Sequence, residues 1–110
     1  CDPHFAEAYV NRGVLHLRLN DTERALYDLN QAIAIHPGFA EAYAYRGVLA
    51  LSLNDPRQAI ADCSRAIELD GKLASAYWSR AIAHGRTGNH QAAAADQRQA
   101  LALDPALAQP

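Results

Sequence analysis

The sequence predicts an all-α protein built as an α-solenoid of antiparallel helix pairs, and three observations carry that prediction. A motif recurs every 34 residues: Ala6-Glu7-Ala8-Tyr9 with Arg12-Gly13-Val14 returns as Ala40-Glu41-Ala42-Tyr43 with Arg46-Gly47-Val48. It returns once more, in worn form, as Ala74-Ser75-Ala76-Tyr77 with Arg80-Ala81-Ile82. The composition is rich in Ala, Leu and Arg, which favour helix, and sparse in Val, Thr and Phe. Each interval also holds two helix-length runs separated by Asn, Asp or Gly. Such a unit can bury its apolar face only against its neighbours, so the core should be elongated and quasi-one-dimensional.

The first helix of each unit is expected at Ala6–Leu19, Ala40–Leu53 and Ala74–Thr87. Apolar or small residues at three- and four-residue spacing mark its packing faces. Mid-helix glycine costs about 1 kcal/mol relative to alanine, so the small Gly13, Gly47 and Ala81 point to close helix approach. Asn20-Asp21, Asn54-Asp55 and Gly88-Asn89 follow. Their first residue tolerates the left-handed helix end, and their second accepts from free N–H groups of the next helix. Pro56 suits a first helical position. The second helix should run Thr22–Ile35, Pro56–Leu69 and His90–Leu103, with Ala25, Leu29, Ala32 and Ile33 and their equivalents buried. Pro37, Gly71 and Pro105 close the units. Phe39, Leu73 and Leu107 then serve as hydrophobic staples beneath the following helix.

The domain organisation is therefore a tail of a preceding unit at residues 1–5, units at 6–39, 40–73 and 74–107, and the start of a further unit or cap at 108–110. Asp2-Pro3-His4-Phe5 stands in register with His36-Pro37-Gly38-Phe39, which motivates the first of these. The third unit is the weakest. Gln97 replaces the core residues Leu29 and Cys63, and Ala92-Ala93-Ala94-Ala95 offers little bulk.

A formal charge of −2 supplies no basic footprint for nucleic acid. No run of about 18 apolar residues exists to insert into a membrane, and no signal-peptide pattern is present. Two cysteines make no disulfide framework. Cys63, at the position of Leu29, reads as a small buried hydrophobe, and Cys1 as a residue of a disordered end. Unpaired thiols favour a reducing, cytoplasmic setting.

Taken together, the aromatics Tyr9, Tyr43 and Tyr77, the small Gly13, Gly47 and Ala81, the alanines Ala25, Ala59, Ala93, Ala32, Ala66 and Ala100, and the closing Pro37, Gly71 and Pro105 make the chain resemble the tetratricopeptide repeat family. The resemblance implies a right-handed superhelix acting as a protein-interaction module. These are packing residues, and they say almost nothing about the ligand.

One departure from that pattern is repeated. Arg12, Arg46 and Arg80 stand where the family usually places leucine, and Asp28, Asp62 and Asp96 follow sixteen residues later. The structural reading pairs each arginine with an aspartate, whose two oxygens match the guanidinium fork. The spacing leaves open whether the partner lies in the same unit or the adjacent one. Ligand contact is the alternative role.

The resemblance also implies that the first helices line a concave wall. The expected peptide-binding residues are Val10, Asn11, Val14, Leu17 and Arg18, then Tyr45, Val48 and Leu51, then Trp78, Ile82 and Arg86. Trp78 is the preferred anchor, because aromatics concentrate binding energy. Chaperone-binding relatives hold a C-terminal carboxylate with Lys and Asn; the corresponding Val10, Val14, Tyr45, Ser75 and Ser79 lack that clamp. The asparagine ladder of glycosyltransferase relatives survives only at Asn11, broken by Tyr45 and Ser79.

No catalytic residue, metal site or cofactor is expected. His16 and His84 lie two units apart, and His4, His36 and His90 lack the spacing of a zinc site. No phosphate-cradling glycine loop is present. The expectation is a non-catalytic module that binds a protein or peptide in its groove. Self-association, or service as an accessory segment of a larger enzyme such as a glycosyltransferase, are the alternatives.

Overall fold

Six helices form in the order α1 (Pro3–Arg18), α2 (Thr22–Ile35), α3 (Ala40–Ser52), α4 (Pro56–Leu69), α5 (Ala74–Arg86) and α6 (His90–Leu103), with a 3₁₀ turn at Pro105–Ala108. This computed structural model describes residues 3–108. The expectations for Cys1, for Asp2 and for the last two residues lie outside that range. Among the described residues there is no strand, and no helix is long and apolar enough to cross a membrane.

Local chemistry sets the hairpins. Asn20 and Asn54 take φ of 61° and 59°, and Gly88 takes 87°. These left-handed residues end helices α1, α3 and α5. The backbone N–H of Asp21, Asp55 and Asn89 then donates to His16, Ala50 and His84 carbonyls at 2.8, 2.8 and 2.9 Å. The same three side chains accept from the N–H of Arg24, Gln58 and Ala92. One residue thus closes one helix and opens the next. Helices α2, α4 and α6 span the expected ranges.

Helix α1 differs: it begins at Pro3 rather than Ala6. Proline is tolerated in a first turn, and His4 stands where the inner loop has Gly38, so nothing in Pro3-His4-Phe5 enforces a turn. Phe5 is consequently an exposed helical residue. Its equivalents Phe39 and Leu73 pack against the core from the N-cap positions of α3 and α5.

Ala25, Leu29, Ala32, Ala59, Cys63 and Ala66 are fully buried, as the helical stripe predicts. Glycine makes room for them. A Cβ on Gly13 would meet Leu29 Cγ at 3.3 Å, and one on Gly47 would meet Cys63 Sγ at 2.6 Å. Ala81 is accommodated because the facing position is the exposed Gln97. The stack measures 39 × 25 × 25 Å with a radius of gyration of 13.5 Å. That is close to the ~13 Å of an ordinary domain of this length, so three units elongate the molecule only modestly.

Successive first helices touch, α1 with α3 and α3 with α5, whereas among the described residues α2, α4 and α6 make no contact with one another. Close packing on one side and separation on the other bends the array. The inside of the bend is the wall of α1, α3 and α5.

Candidate interaction surface

Each arginine of the repeated pair grips the aspartate of its own unit with two hydrogen bonds. Arg12 Nε and Nη2 donate to Asp28 at 2.9 and 2.7 Å, Arg46 to Asp62 at 3.1 and 2.8 Å, and Arg80 to Asp96 at 2.7 and 2.8 Å. The remaining nitrogen reaches backwards. Arg46 Nη1 donates to Asn30 Oδ1 at 3.0 Å, and Arg80 Nη1 to Ser64 Oγ at 3.1 Å, each on the second helix of the preceding unit. The guanidinium groups also lie 5.5, 5.3 and 5.6 Å from the ring centroids of Tyr9, Tyr43 and Tyr77. The repeated arginine therefore ties together its own hairpin and its neighbour.

The aspartates are buried and the arginines only partly so: side-chain exposure is 58 % for Arg12 but 25 % for Arg46 and 22 % for Arg80. The difference is the preceding helix pair, which covers the second and third units. Hydrogen bonding to Asp28 and to Asp96 raises the pKa of Arg12 and Arg80, which holds both guanidinium groups charged. His16 and His84 stand 3.7 and 3.6 Å from Asp28 and Asp96. The equivalent in the second unit is Ala50. Among the described residues no three His, Cys, Asp or Glu side chains converge as a metal site.

On the inner wall, Asn11, Tyr45, Val48 and Ile82 are exposed; Tyr45, Val48 and Ile82 keep 37, 36 and 40 % of their surface. Val14 and Leu17 are half-buried against the first core cluster, and Leu51 half-buried against the third. The accessible part is thus a short apolar ladder, Val14, Val48 and Ile82, beside Asn11 and Tyr45. Arg18 is exposed at the rim.

Three expected wall residues are placed otherwise. Val10 is buried in the first core cluster with Ala42 and Leu49 of α3, so it faces the next helix and not a groove. Ala44, its equivalent, is buried with Ala76 of α5 in the same way. Trp78 holds the third such position. It is half-buried and lines a cleft with Ala81, Ile82, Ala93 and Gln97 at the outward end of the third unit. Arg86 is engaged within the protein, its Nη1 donating to the Leu51 carbonyl at 2.9 Å.

Cys63 is fully buried. Burial, with Asp62 adding to it, pushes its thiol up to about 12, so it is no nucleophile near neutral pH. Clefts of ≈ 440 and ≈ 430 Å³ flank Asp62 and Asp28. Leu26, Asn30, Leu49 and Leu53 complete the first, and His16, Glu23, Arg24 and Tyr27 the second. Sequence reasoning did not single these out, because the first forms only where α2 meets α3 and α4, and the second only where α1 and α2 face each other across their hairpin.

Comparison with known proteins gives a consistent picture. Solved structures that match include the Arabidopsis OM64 TPR domain, with a TM-score of 0.90 and 29 % identity over 94 % of this chain and 85 % of that one. The second TPR of Spaghetti (RPAP3) bound to HSP90 peptide SRMEEVD matches with a TM-score of 0.89 and 27 % identity over 93 % of this chain and 94 % of that one. MamA matches with a TM-score of 0.83 and 26 % identity over 99 % of this chain and 64 % of its own length. No curated protein sequence matches the chain. Models of the tetratricopeptide repeat match residues 6–39, 40–73 and 74–107, and with the hairpin geometry above they establish that the chain belongs to the tetratricopeptide repeat family.

Proposed function

We propose that the chain is a non-catalytic protein-interaction module whose wall of α1, α3 and α5 receives a peptide or helix of a partner protein. The observation that carries this reading is the exposed ladder of Val48 and Ile82 beside Tyr45 on the inside of the bend, backed by α4 and α6. Burying such a side chain contributes about 1.5–3 kcal/mol, so a partner with two or three apolar anchors has enough to bind. The likeness to a repeat domain bound to an HSP90 peptide supports the general mode. It does not extend to the carboxylate clamp, because of the positions that would form it Val10 and Ser79 are buried. The only lysine, Lys72, lies in the loop between α4 and α5.

The test is a displayed library of short peptides selected against the full chain and against its Tyr45→Ala/Val48→Asp variant. Peptides rich in apolar anchors should be recovered by the native chain and should lose about tenfold or more in affinity for the variant. Recovery of the same peptides with unchanged affinity by both chains would remove the inner wall as the recognition surface.

A further inference from the structure

The inner wall carries more than an apolar ladder. On α1, Glu7, Asn11, Val14 and Arg18 follow at intervals of four, three and four residues, so they share one stripe. The stripe repeats on α3 and α5, and its end positions are exposed in all three helices. Because α1, α3 and α5 open equivalent hairpins, they run the same way. Their first turns form one rim of the wall and their last turns the other. The first rim carries Glu7 and Glu41, and the second carries Arg18 and Arg86. Ser75 and Ser52 fill the remaining two places. Arg86 is held at its rim, since its Nη1 donates to the Leu51 carbonyl. The wall is thus acidic along one edge in its first two units, basic along the other in its first and third, and apolar between.

We propose that this wall selects an amphipathic helix with one apolar seam, cationic side chains along one flank and anionic side chains along the other. The inference rests on the wall as the recognition surface and adds the chemistry of what it receives. Width argues for a helix. Glu7 and Arg18 are eleven residues apart, about 16 Å along α1. A helix about 10–12 Å across fills most of that width and brings its charged flanks to both rims. The spacing of the ladder agrees. Successive wall helices touch, which places their axes about 8–10 Å apart. A partner helix lying across them rises about 10.5 Å in seven residues, two turns that return to the same face. One apolar residue in seven therefore meets Val14, Val48 and Ile82 in turn. A β-strand covers the same interval in about three residues and turns opposite faces to consecutive rungs.

Acidic first turns and basic last turns also suit the helix dipole, so the test reads peptide binding and not stability. Three synthetic helices of about three two-turn intervals share one apolar seam. One carries lysine on one flank and glutamate on the other, one lysine on both, and one glutamate on both. Sedimentation checks that each is a monomer, and each is titrated into the full chain in a calorimeter. The mixed helix should bind about tenfold more tightly than either single-sign helix. A net charge of −2 would by itself favour the lysine helix, so preference for the mixed one reads the two rims. A Glu7→Lys/Glu41→Lys chain should move the preference to the glutamate helix, and a Tyr45→Ala/Val48→Asp chain should weaken all three. A single-sign helix bound by the native chain as tightly as the mixed one, yet weakened by Tyr45→Ala/Val48→Asp, would overturn the charge pattern and leave the groove standing. A preference unmoved by Glu7→Lys/Glu41→Lys would do the same. Binding indifferent to Tyr45→Ala/Val48→Asp, or no binding of any helix, would remove the groove and this inference together.

Discussion

Arg46 illustrates how one side chain serves as hairpin clamp, ring partner and inter-unit tie: it meets Asp62, the Tyr43 ring and Asn30 at once. The two ends of the clamp are not equivalent. Asp62 is nearly sealed, whereas Arg46 retains a quarter of its side-chain surface. Removing Asp62 leaves a guanidinium that can still turn to water and to Asn30. Removing Arg46 strands a buried carboxylate, a loss of about 3–5 kcal/mol. Arg46→Leu should therefore destabilise more than Asp62→Ala, and the double variant should cost less than the sum by about 1–3 kcal/mol. Chemical denaturation of the three variants measures this cycle. Additive losses would contradict the bidentate contact. The sequence showed the periodicity of the charges but not their pairing, because a separation of sixteen residues fits both the helix of the same unit and that of the neighbour. Only the hairpin geometry decides: the paired aspartate is that of the same unit, Asp62, and the preceding unit contributes Asn30 instead of its aspartate.

At the level of the hairpin, Gly47 is the tightest point. Alanine there would gain about 1 kcal/mol of helix propensity, but its methyl would lie 2.6 Å from the sulfur of the fully buried Cys63. Overpacking a sealed site costs about 1–3 kcal/mol. Gly47→Ala should therefore lower stability on balance, and more than Gly13→Ala, whose new methyl would meet Leu29 at 3.3 Å. Adding Cys63→Ala should restore much of the Gly47→Ala loss by freeing the volume of the sulfur. Thermal melts of the single and double variants provide the check, and a Gly47→Ala chain as stable as the parent would sink it. Ala81 opposite Gln97 is the natural counterpart of that double change. Features of this kind were readable from the residues alone because they are local: Asn54 and Asp55 fix a turn, Pro56 fixes a first turn, and Leu29 and Cys63 recur on one helix face. The wall residues were harder. Val10 and Val14 differ by four positions on one helix, yet Val10 is covered by α3 and Val14 only in part. Periodicity identifies an apolar face; it does not say how far the next helix extends over it, which is why Trp78 belongs to the end of the stack.

Across the stack, each helix pair is stabilised mainly by its neighbours, and the outermost pair has them on one side only. The consequences fall unevenly on α6. Helices α2 and α4 each bury four residues, including Leu29 and Cys63, whereas α6 buries Asp96 and Ala100 alone. Gln97 is exposed where those two anchors sit, and Ala92 to Ala95 supply little area to bury. What remains to hold α6 is the Arg80–Asp96 clamp, the Asn89 cap and contact with α5 and the 3₁₀ turn. Local opening free energies follow buried contacts, so α6 should open without the rest of the array. Native-state hydrogen exchange should show amides of α6 exchanging about tenfold or more faster than those of α4, with α3 and α4 sharing the protection of global unfolding. Gln97→Leu should raise protection along α6, since a leucine there recovers the anchor of the first unit and covers part of the cleft beside Trp78. Uniform protection from α3 through α6, or no response to Gln97→Leu, would show that the clamp alone secures the final helix and that the end of the stack is as cooperative as its centre.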